Sequence, residues 1–215
     1  MRTRTLLLTA ATLVAGLATS FGQSVYSQNI VGYATLTLQP GFNLIANQFD
    51  LDGNGTNNTV NSAFSTNLPP NSQVYTFNGS SFDIATFSAR SSSWDLPNLK
   101  VNPGMGFWVN NPNGSAVTVT LSGQVLTGTL SNPNVPSGGG FALVSSMIPQ
   151  AGLLQTDLAY TPVGNDQVYT YNGTGYDIST FSARSSSWDT QPSLSVGQGF
   201  WLSTTGNSWS RSFNP

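Results

Sequence analysis

Short runs of alternating hydrophobic and polar residues cover most of this chain, and turn signals separate them. Alternation with period two is typical of β-strands, and Asn-Gly, Pro-Gly and Gly-rich segments lie between the runs. Strong helix formers are scarce, since the chain has no Glu and 22 Gly and 12 Pro residues interrupt it. The pattern predicts an all-β fold of antiparallel strands.

The clearest predicted hairpin joins residues 74–77 to residues 80–84 through Asn78-Gly79. Asn-Gly tolerates the positive φ angles of a type I′ turn, so a two-residue loop is expected, with Tyr75 facing Phe82. Because side chains alternate across a strand, four apolar residues then share one face, which we expect to be the core. In this hairpin they are Tyr75, Phe77, Phe82 and Ile84, and in the matching hairpin around Asn172-Gly173 they are Tyr169, Tyr171, Tyr176 and Ile178.

Residues 73–109 return almost unchanged as residues 167–202, an offset of 167 − 73 = 94 residues at the start. Shorter similar segments extend the repetition on both sides. The chain is therefore predicted to consist of two copies of one unit, with β repeat 1 at 23–123 and β repeat 2 at 124–215. Each repeat is expected to form a small sandwich or rolled sheet. No long linker separates them, which predicts close packing between the two.

Two details refine this picture. Residues 60–64 are predicted to form one helical turn capped by Asn58 or Thr59. In the phrase GFWV, Phe107 and Trp108 point to opposite faces, so one belongs to the core and the other lies on the second surface or at an interface. Burial between the two repeats is the preferred interpretation, and an exposed Trp that serves as an interface or ligand platform is the alternative.

The first 22 residues have the pattern of a secretory signal peptide. Arg2 and Arg4 precede a short apolar run at residues 6–18, and small residues follow before Gln23. The run is too short to span a bilayer, and no second apolar stretch exists. We therefore expect a secreted protein (extracellular, cell surface or periplasm) with no membrane span.

Removal of this segment leaves four cations and eight anions, so the net charge becomes 4 − 8 = −4. No basic patch is present, which argues against nucleic acid as a partner. Ser, Thr, Asn and Gln provide the polar surface in place of charges. Such a surface repels other copies only weakly, which favours dense packing of copies.

The repeated order GFxLI, VYxFNG and PGxGFWV behind a signal peptide resembles a group of exported bacterial tandem-repeat β proteins. The likeness covers nearly the whole chain after residue 22. This resemblance implies an all-β fold and an exported location. It brings no catalytic residues to assign here.

The chain lacks the residues of most active sites. Without His or Cys it has no catalytic triad, thiol nucleophile or imidazole ligand. The carboxylate pairs that recur are Asp83 with Asp95 and Asp177 with Asp189, and the predicted register leaves Asp83 exposed on the outward face of its hairpin. We therefore expect no enzymatic activity and no cofactor.

The segment SARSSSWD occurs at 88–95 and again at 182–189, and two interpretations remain open. In the first, the Arg bridges nearby Asp carboxylates and the Trp plugs the core. In the second, the indole stacks on a sugar and the ionic groups bind its hydroxyls. The candidate binding residues are Arg90, Trp94, Asp95, Arg184, Trp188 and Asp189.

Residues 50–55 match the opening of a calcium loop, D-x-D-x-N-G, through Asp50, Asp52 and Asn54. Position twelve is Asn61, where high affinity requires a bidentate acid, and the second repeat has no counterpart. Calcium is thus a weak candidate, and a Gly/Asn-rich turn is the alternative.

These observations favour an exported non-catalytic structural protein that self-associates at the cell surface or in an extracellular matrix. Internal duplication, low charge and a lack of catalytic groups all suit that role. The alternative is a carbohydrate-binding module with two equivalent Arg/Trp/Asp sites.

Overall fold

The computed structural model describes residues 30–214, so the predicted signal peptide at 1–22 lies outside the described residues. Within that range the chain forms antiparallel β-sheets and one short helix, which confirms the all-β prediction. The first strands are β1 Val31–Leu38, β2 Gly41–Ala46, β3 Gln73–Phe77, β4 Phe82–Ser88, β5 Ser93–Trp94, β6 Gly106–Asn111, β7 Val117–Gln124 and β8 Gly128–Ser131. The remaining strands are β9 Gly140–Val144, β10 Gly152–Leu153, β11 Gln167–Tyr171, β12 Tyr176–Ser182, β13 Ser187–Trp188, β14 Ser193–Leu194, β15 Phe200–Thr204 and β16 Ser210–Phe213.

The first five-stranded sheet has the order β2-β6-β3-β4-β5. Its β3–β4 hairpin pairs Tyr75 with Ile84 and Phe77 with Phe82, two residues away from the predicted register. The cause is the side chain of Asn78, whose Oδ1 accepts hydrogen bonds from the backbone N–H of Ser80 (3.2 Å) and Ser81 (2.9 Å). This side-chain turn closes a longer loop than the two-residue turn expected from Asn-Gly alone.

The aromatic face of this hairpin does not belong to the core, contrary to the prediction. A shift of two residues leaves the four apolar side chains on one face, as predicted, but the opposite face of β3 and β4 is buried. That buried face carries Val74, Ala85 and Phe87. These side chains belong to one apolar cluster with Leu38 of β1 and Leu121 of β7, which complete the core.

A single-turn helix, α1 (Val60–Phe64), closes one end of this core. Thr59 caps it, because its Oγ1 accepts a hydrogen bond from Ser62 N at 3.2 Å. The cap confirms the predicted helical turn. Phe64 is fully buried and contacts Phe107 edge-on at 6.1 Å between ring centroids.

The second five-stranded sheet has the order β9-β15-β11-β12-β13. The pair β8–β16 and the short pair β10–β14 accompany it. Its hairpin pairs Tyr169 with Ile178 and Tyr171 with Tyr176. A second apolar cluster forms beneath it around Phe200. The first cluster includes Leu130, so a residue from beyond the predicted repeat boundary at 123 packs in the first core.

The two large sheets meet through backbone contacts that occur in reciprocal pairs. Ala46 N donates to Gly197 O at 2.8 Å, and Ser145 N donates to Gly104 O at 2.9 Å. Between these bonds Gly106 and Gly199 touch, and a Cβ added to Gly199 would lie 2.6 Å from the Ile45 carbonyl oxygen. Glycine is therefore required by close backbone approach, and the sheets join without a gap.

Within residues 30–214, no helix is both long enough and apolar enough to span a membrane.

Candidate functional site

The two tryptophans of the repeated SARSSSWD segments lie under their loops. Trp94 is 4% exposed and Trp188 is 9% exposed, and each packs on a Phe of the neighbouring strand at 5.3 and 5.4 Å between ring centroids. The indole N–H of Trp94 donates to Ser65 O at 2.8 Å. Neither indole presents a face on which a sugar ring could stack.

The ionic residues of these segments do not converge. Asp95 Oδ1 accepts a hydrogen bond from Thr86 N at 2.6 Å, and Asp83 Oδ2 accepts one from Asn78 Nδ2 at 3.3 Å. Arg90 is exposed, and within residues 30–214 its guanidinium bridges neither carboxylate. The predicted Arg–Asp bridge is therefore wrong, and each Asp holds its own loop.

The second segment follows the same plan. Asp189 Oδ1 accepts from Thr180 N at 2.9 Å, and Arg184 is again exposed. The serines also act locally, since Ser88 Oγ accepts from Arg90 N and Ser182 Oγ accepts from Ser185 N, both at 3.2 Å. These contacts account for the serine-rich sequence as loop closure.

Asp50, Asp52 and Asn54 lie in a surface loop that side-chain hydrogen bonds close. Asp52 Oδ2 accepts a bond from Thr56 Oγ1 at 2.6 Å, and Asp50 Oδ2 accepts one from Gly55 N at 2.9 Å. The bond from Thr56, with backbone bonds, lowers the pKa of Asp52. Among residues 30–214 no group of three or more His, Cys, Asp or Glu side chains is placed to hold a metal ion. The hydrogen bonds that Asp50 and Asp52 accept within the loop are those of turn-forming groups.

The largest unexpected feature is a continuous set of outward-facing apolar side chains, ten of them aromatic, called here the aromatic surface. Six of its side chains come from the first sheet and six from the second. They are Phe42, Tyr75, Phe77, Phe82, Ile84 and Trp108, and Phe141, Tyr169, Tyr171, Tyr176, Ile178 and Trp201.

Strand register explains why these side chains share a face. Tyr75 lies opposite both Trp108 of β6 and Ile84 of β4. In the second sheet Tyr169 lies opposite both Trp201 and Ile178. Cross-strand neighbours point the same way, so each sheet presents a ladder of rings.

The two ladders contact each other through reciprocal ring pairs. Trp108 of the first sheet meets Tyr171 of the second at 4.8 Å, and Trp201 of the second meets Phe77 of the first at 5.0 Å. Both pairs are edge-to-face, with interplanar angles of 78° and 72°. Trp108 therefore contacts the other half, but it is half-buried beside an open groove rather than buried between the halves as expected.

Between the ladders lies an open groove of about 490 Å³, lined by seven aromatic side chains and by no charged residue. Such a volume suits a small ligand or an inserted apolar group. Several rim residues remain exposed, including Phe42, Phe82, Phe141 and Tyr176. Clustered exposed rings of this kind mark an interaction surface.

Polar side chains border one end of each ladder. Tyr75 Oη donates to Gln73 Oε1 at 2.8 Å, and Tyr169 Oη donates to Gln167 Oε1 at 2.9 Å. These bonds fix the phenol rings, and the groups that form them are uncharged.

Sequence reasoning missed a buried polar cluster in the second half. Tyr160 Oη donates to Asp166 Oδ2 at 2.6 Å, and Val163 N donates to the same oxygen at 2.9 Å. Burial, followed by the bond to Asp166, raises the pKa of Tyr160 well above its usual value. Tyr160 also packs on Trp209 at 5.6 Å, so the cluster stabilises the second core.

Comparison with known proteins assigns no family: no family profile, no curated protein and no solved structure matches the chain. The function proposed below therefore rests on the geometry of the chain itself.

Proposed function

We propose that this chain is an exported, non-catalytic structural protein that self-associates at the cell surface or in an extracellular matrix. The observation that carries the proposal is the aromatic surface, where large apolar side chains remain open to solvent on one uncharged face. Soluble monomers rarely keep such a surface uncovered.

Export is proposed from the sequence of residues 1–22, with its basic start and short apolar run. The non-catalytic role is proposed because the sequence contains no His, Cys or Glu. The recurring carboxylates also serve as loop hydrogen-bond acceptors, which supports a structural role for them.

We also propose that residues 23–123 and 124–215 arose as two copies of one unit. The recurrence of residues 73–109 as 167–202 supports this, and so do the matching strand orders of the two large sheets. The reciprocal contacts at Gly106 and Gly199 fit two equivalent units that pack around a local twofold axis.

Carbohydrate binding is the competing function. Burial of Trp94 and Trp188 leaves the two Arg/Trp/Asp segments without a stacking face. On the aromatic surface most neighbouring rings are steeply tilted to one another, so they form no flat platform that extends over several rings. Self-association is therefore the stronger proposal.

Sedimentation velocity of the purified chain over a concentration series tests the proposal. We expect the mean mass to rise reversibly with concentration. A chain that stays monomeric up to millimolar concentration contradicts self-association, and binding on a glycan array by that monomer would favour the carbohydrate function instead.

A further inference from the structure

We propose that the aromatic surface is the face by which two copies of this chain pair, each using the same face. This inference rests on the proposed self-association and adds the contact surface and its symmetry. A twofold contact uses one patch on both partners, so the patch must be complementary to itself.

The chain already shows that rings of this kind pack on one another. Inside one molecule Trp108 fits against Tyr171 and Tyr176 from the other sheet, at 4.8 and 6.4 Å. Trp201 fits in the same way against Phe77 and Phe82, at 5.0 and 6.2 Å. The exposed rim rings lie next to these internal contacts and face solvent. The same rings of a second copy can pack against them in the same way.

The exposed area is sufficient for a stable pair. Six rim residues are 40–52% exposed, and they are Phe42, Phe82, Ile84, Phe141, Tyr176 and Ile178. Each therefore offers roughly 80–100 Å², which gives about 500–600 Å² per copy before the half-buried rings are included. Two copies that cover the rim fully then bury about 1,000–1,200 Å² from the rim alone, which reaches the lower limit of a specific interface, and the half-buried rings add to it.

Charge does not oppose the pairing. The nearest hairpin carboxylates, Asp83 and Asp177, alternate onto the other face of their strands. Each accepts a hydrogen bond from the adjacent loop amide, Asn78 or Asn172. Two aromatic surfaces can therefore meet without bringing like charges together, although the exported chain is acidic.

The chemistry of the rim favours a protein partner over a sugar. Phe and Ile side chains have no hydrogen-bonding group for hydroxyls, and two of the most exposed rim residues are Phe42 and Ile178. Apolar cores with aromatic anchors are typical of contacts between protein chains.

The test is a double variant, Ile84→Thr with Ile178→Thr. Both residues lie on the rim outside the internal ring contacts, and Thr keeps the β-branched shape that strands prefer. The matched control is Val31→Thr in β1, whose side chain is 75% exposed away from the aromatic surface. Far-UV circular dichroism and thermal melting establish that each variant is folded.

We expect the double variant to raise the dimer dissociation constant by about tenfold or more, because apolar area leaves the contact. The control should change it less than about twofold. Association that persists unchanged in the double variant overturns this inference and leaves self-association standing. A wild-type chain that never associates overturns the proposed function itself.

Discussion

The two buried tryptophans allow a matched test of one hydrogen bond. Trp94 and Trp188 lie in identical loop sequences, and both pack on a Phe ring at nearly the same distance. The indole N–H of Trp94 donates to Ser65 O, at the C-cap of α1, whereas the buried indole N–H of Trp188 has no partner among the described residues. Replacing each by Phe removes a similar volume but different polar interactions.

The expected difference in stability follows from these contacts. Each substitution loses packing worth about 1–2 kcal/mol. Trp94→Phe also loses a hydrogen bond worth about 1 kcal/mol, while Trp188→Phe removes an unsatisfied buried donor, which is favourable. We therefore expect Trp94→Phe to lower the free energy of unfolding by about 1–2 kcal/mol more than Trp188→Phe does.

Urea unfolding followed by circular dichroism measures both free energies, and thermal melting gives a second reading. A gap of this size corresponds to about 3–6 °C in Tm for a chain of this length. The reasoning is refuted if Trp188→Phe costs as much as Trp94→Phe, or more.

Four further predictions concern the packing, the polar groups and calcium. Gly199→Ala is expected to lower the free energy of unfolding by about 2 kcal/mol or more because its Cβ meets the Ile45 carbonyl at 2.6 Å, whereas Gly114→Ala, with nothing within 4 Å, should change the melting temperature little. The raised pKa of Tyr160 means that the unfolded chain ionises first, so stability should fall as the pH rises above about 10, and Tyr160→Phe should reduce that dependence in alkaline melts. The lowered pKa of Asp52 has the opposite effect on the pH dependence: the contribution of this carboxylate to stability is present above about pH 4 and is lost as the pH falls. Asp52→Asn should therefore weaken the loss of stability at acid pH. Millimolar calcium should leave the melting temperature unchanged, and a clear rise would restore the calcium interpretation of this loop.

The alternation of residues predicts the strands well, because period two is a local property. It also predicts correctly which side chains share a face of the hairpin. It does not tell which face is buried, since both faces of β3 and β4 carry apolar residues. The sequence of β4 does contain a signal for the buried face. The aromatic face ends in the polar residues Thr86 and Ser88, whereas the other face ends in the apolar residues Ala85 and Phe87.

The features that the sequence misses depend either on competition between side-chain and backbone bonds within a turn or on distant partners. The hairpin register depends on the Asn78 side chain, which competes with the backbone turn that Asn-Gly favours. The contact of Trp108 with Tyr171 joins two sheets that no local pattern aligns. The identity of the two SARSSSWD segments predicts that these loops have a specific role. It does not show whether the Trp is buried or exposed, because a structural loop and a sugar-binding loop would use the same residue types.

The central claim is that the rings of the aromatic surface are open to solvent in one copy and covered by a second. Hydroxyl-radical footprinting of the purified chain at low and high concentration measures this directly for each side chain. We predict that Phe42, Phe82 and Phe141 react at low concentration and become protected at high concentration, while the fully buried Phe107 and Phe200 react at neither. Rim rings that are unreactive in dilute monomer, or equally reactive at both concentrations in an associated sample, would contradict the account.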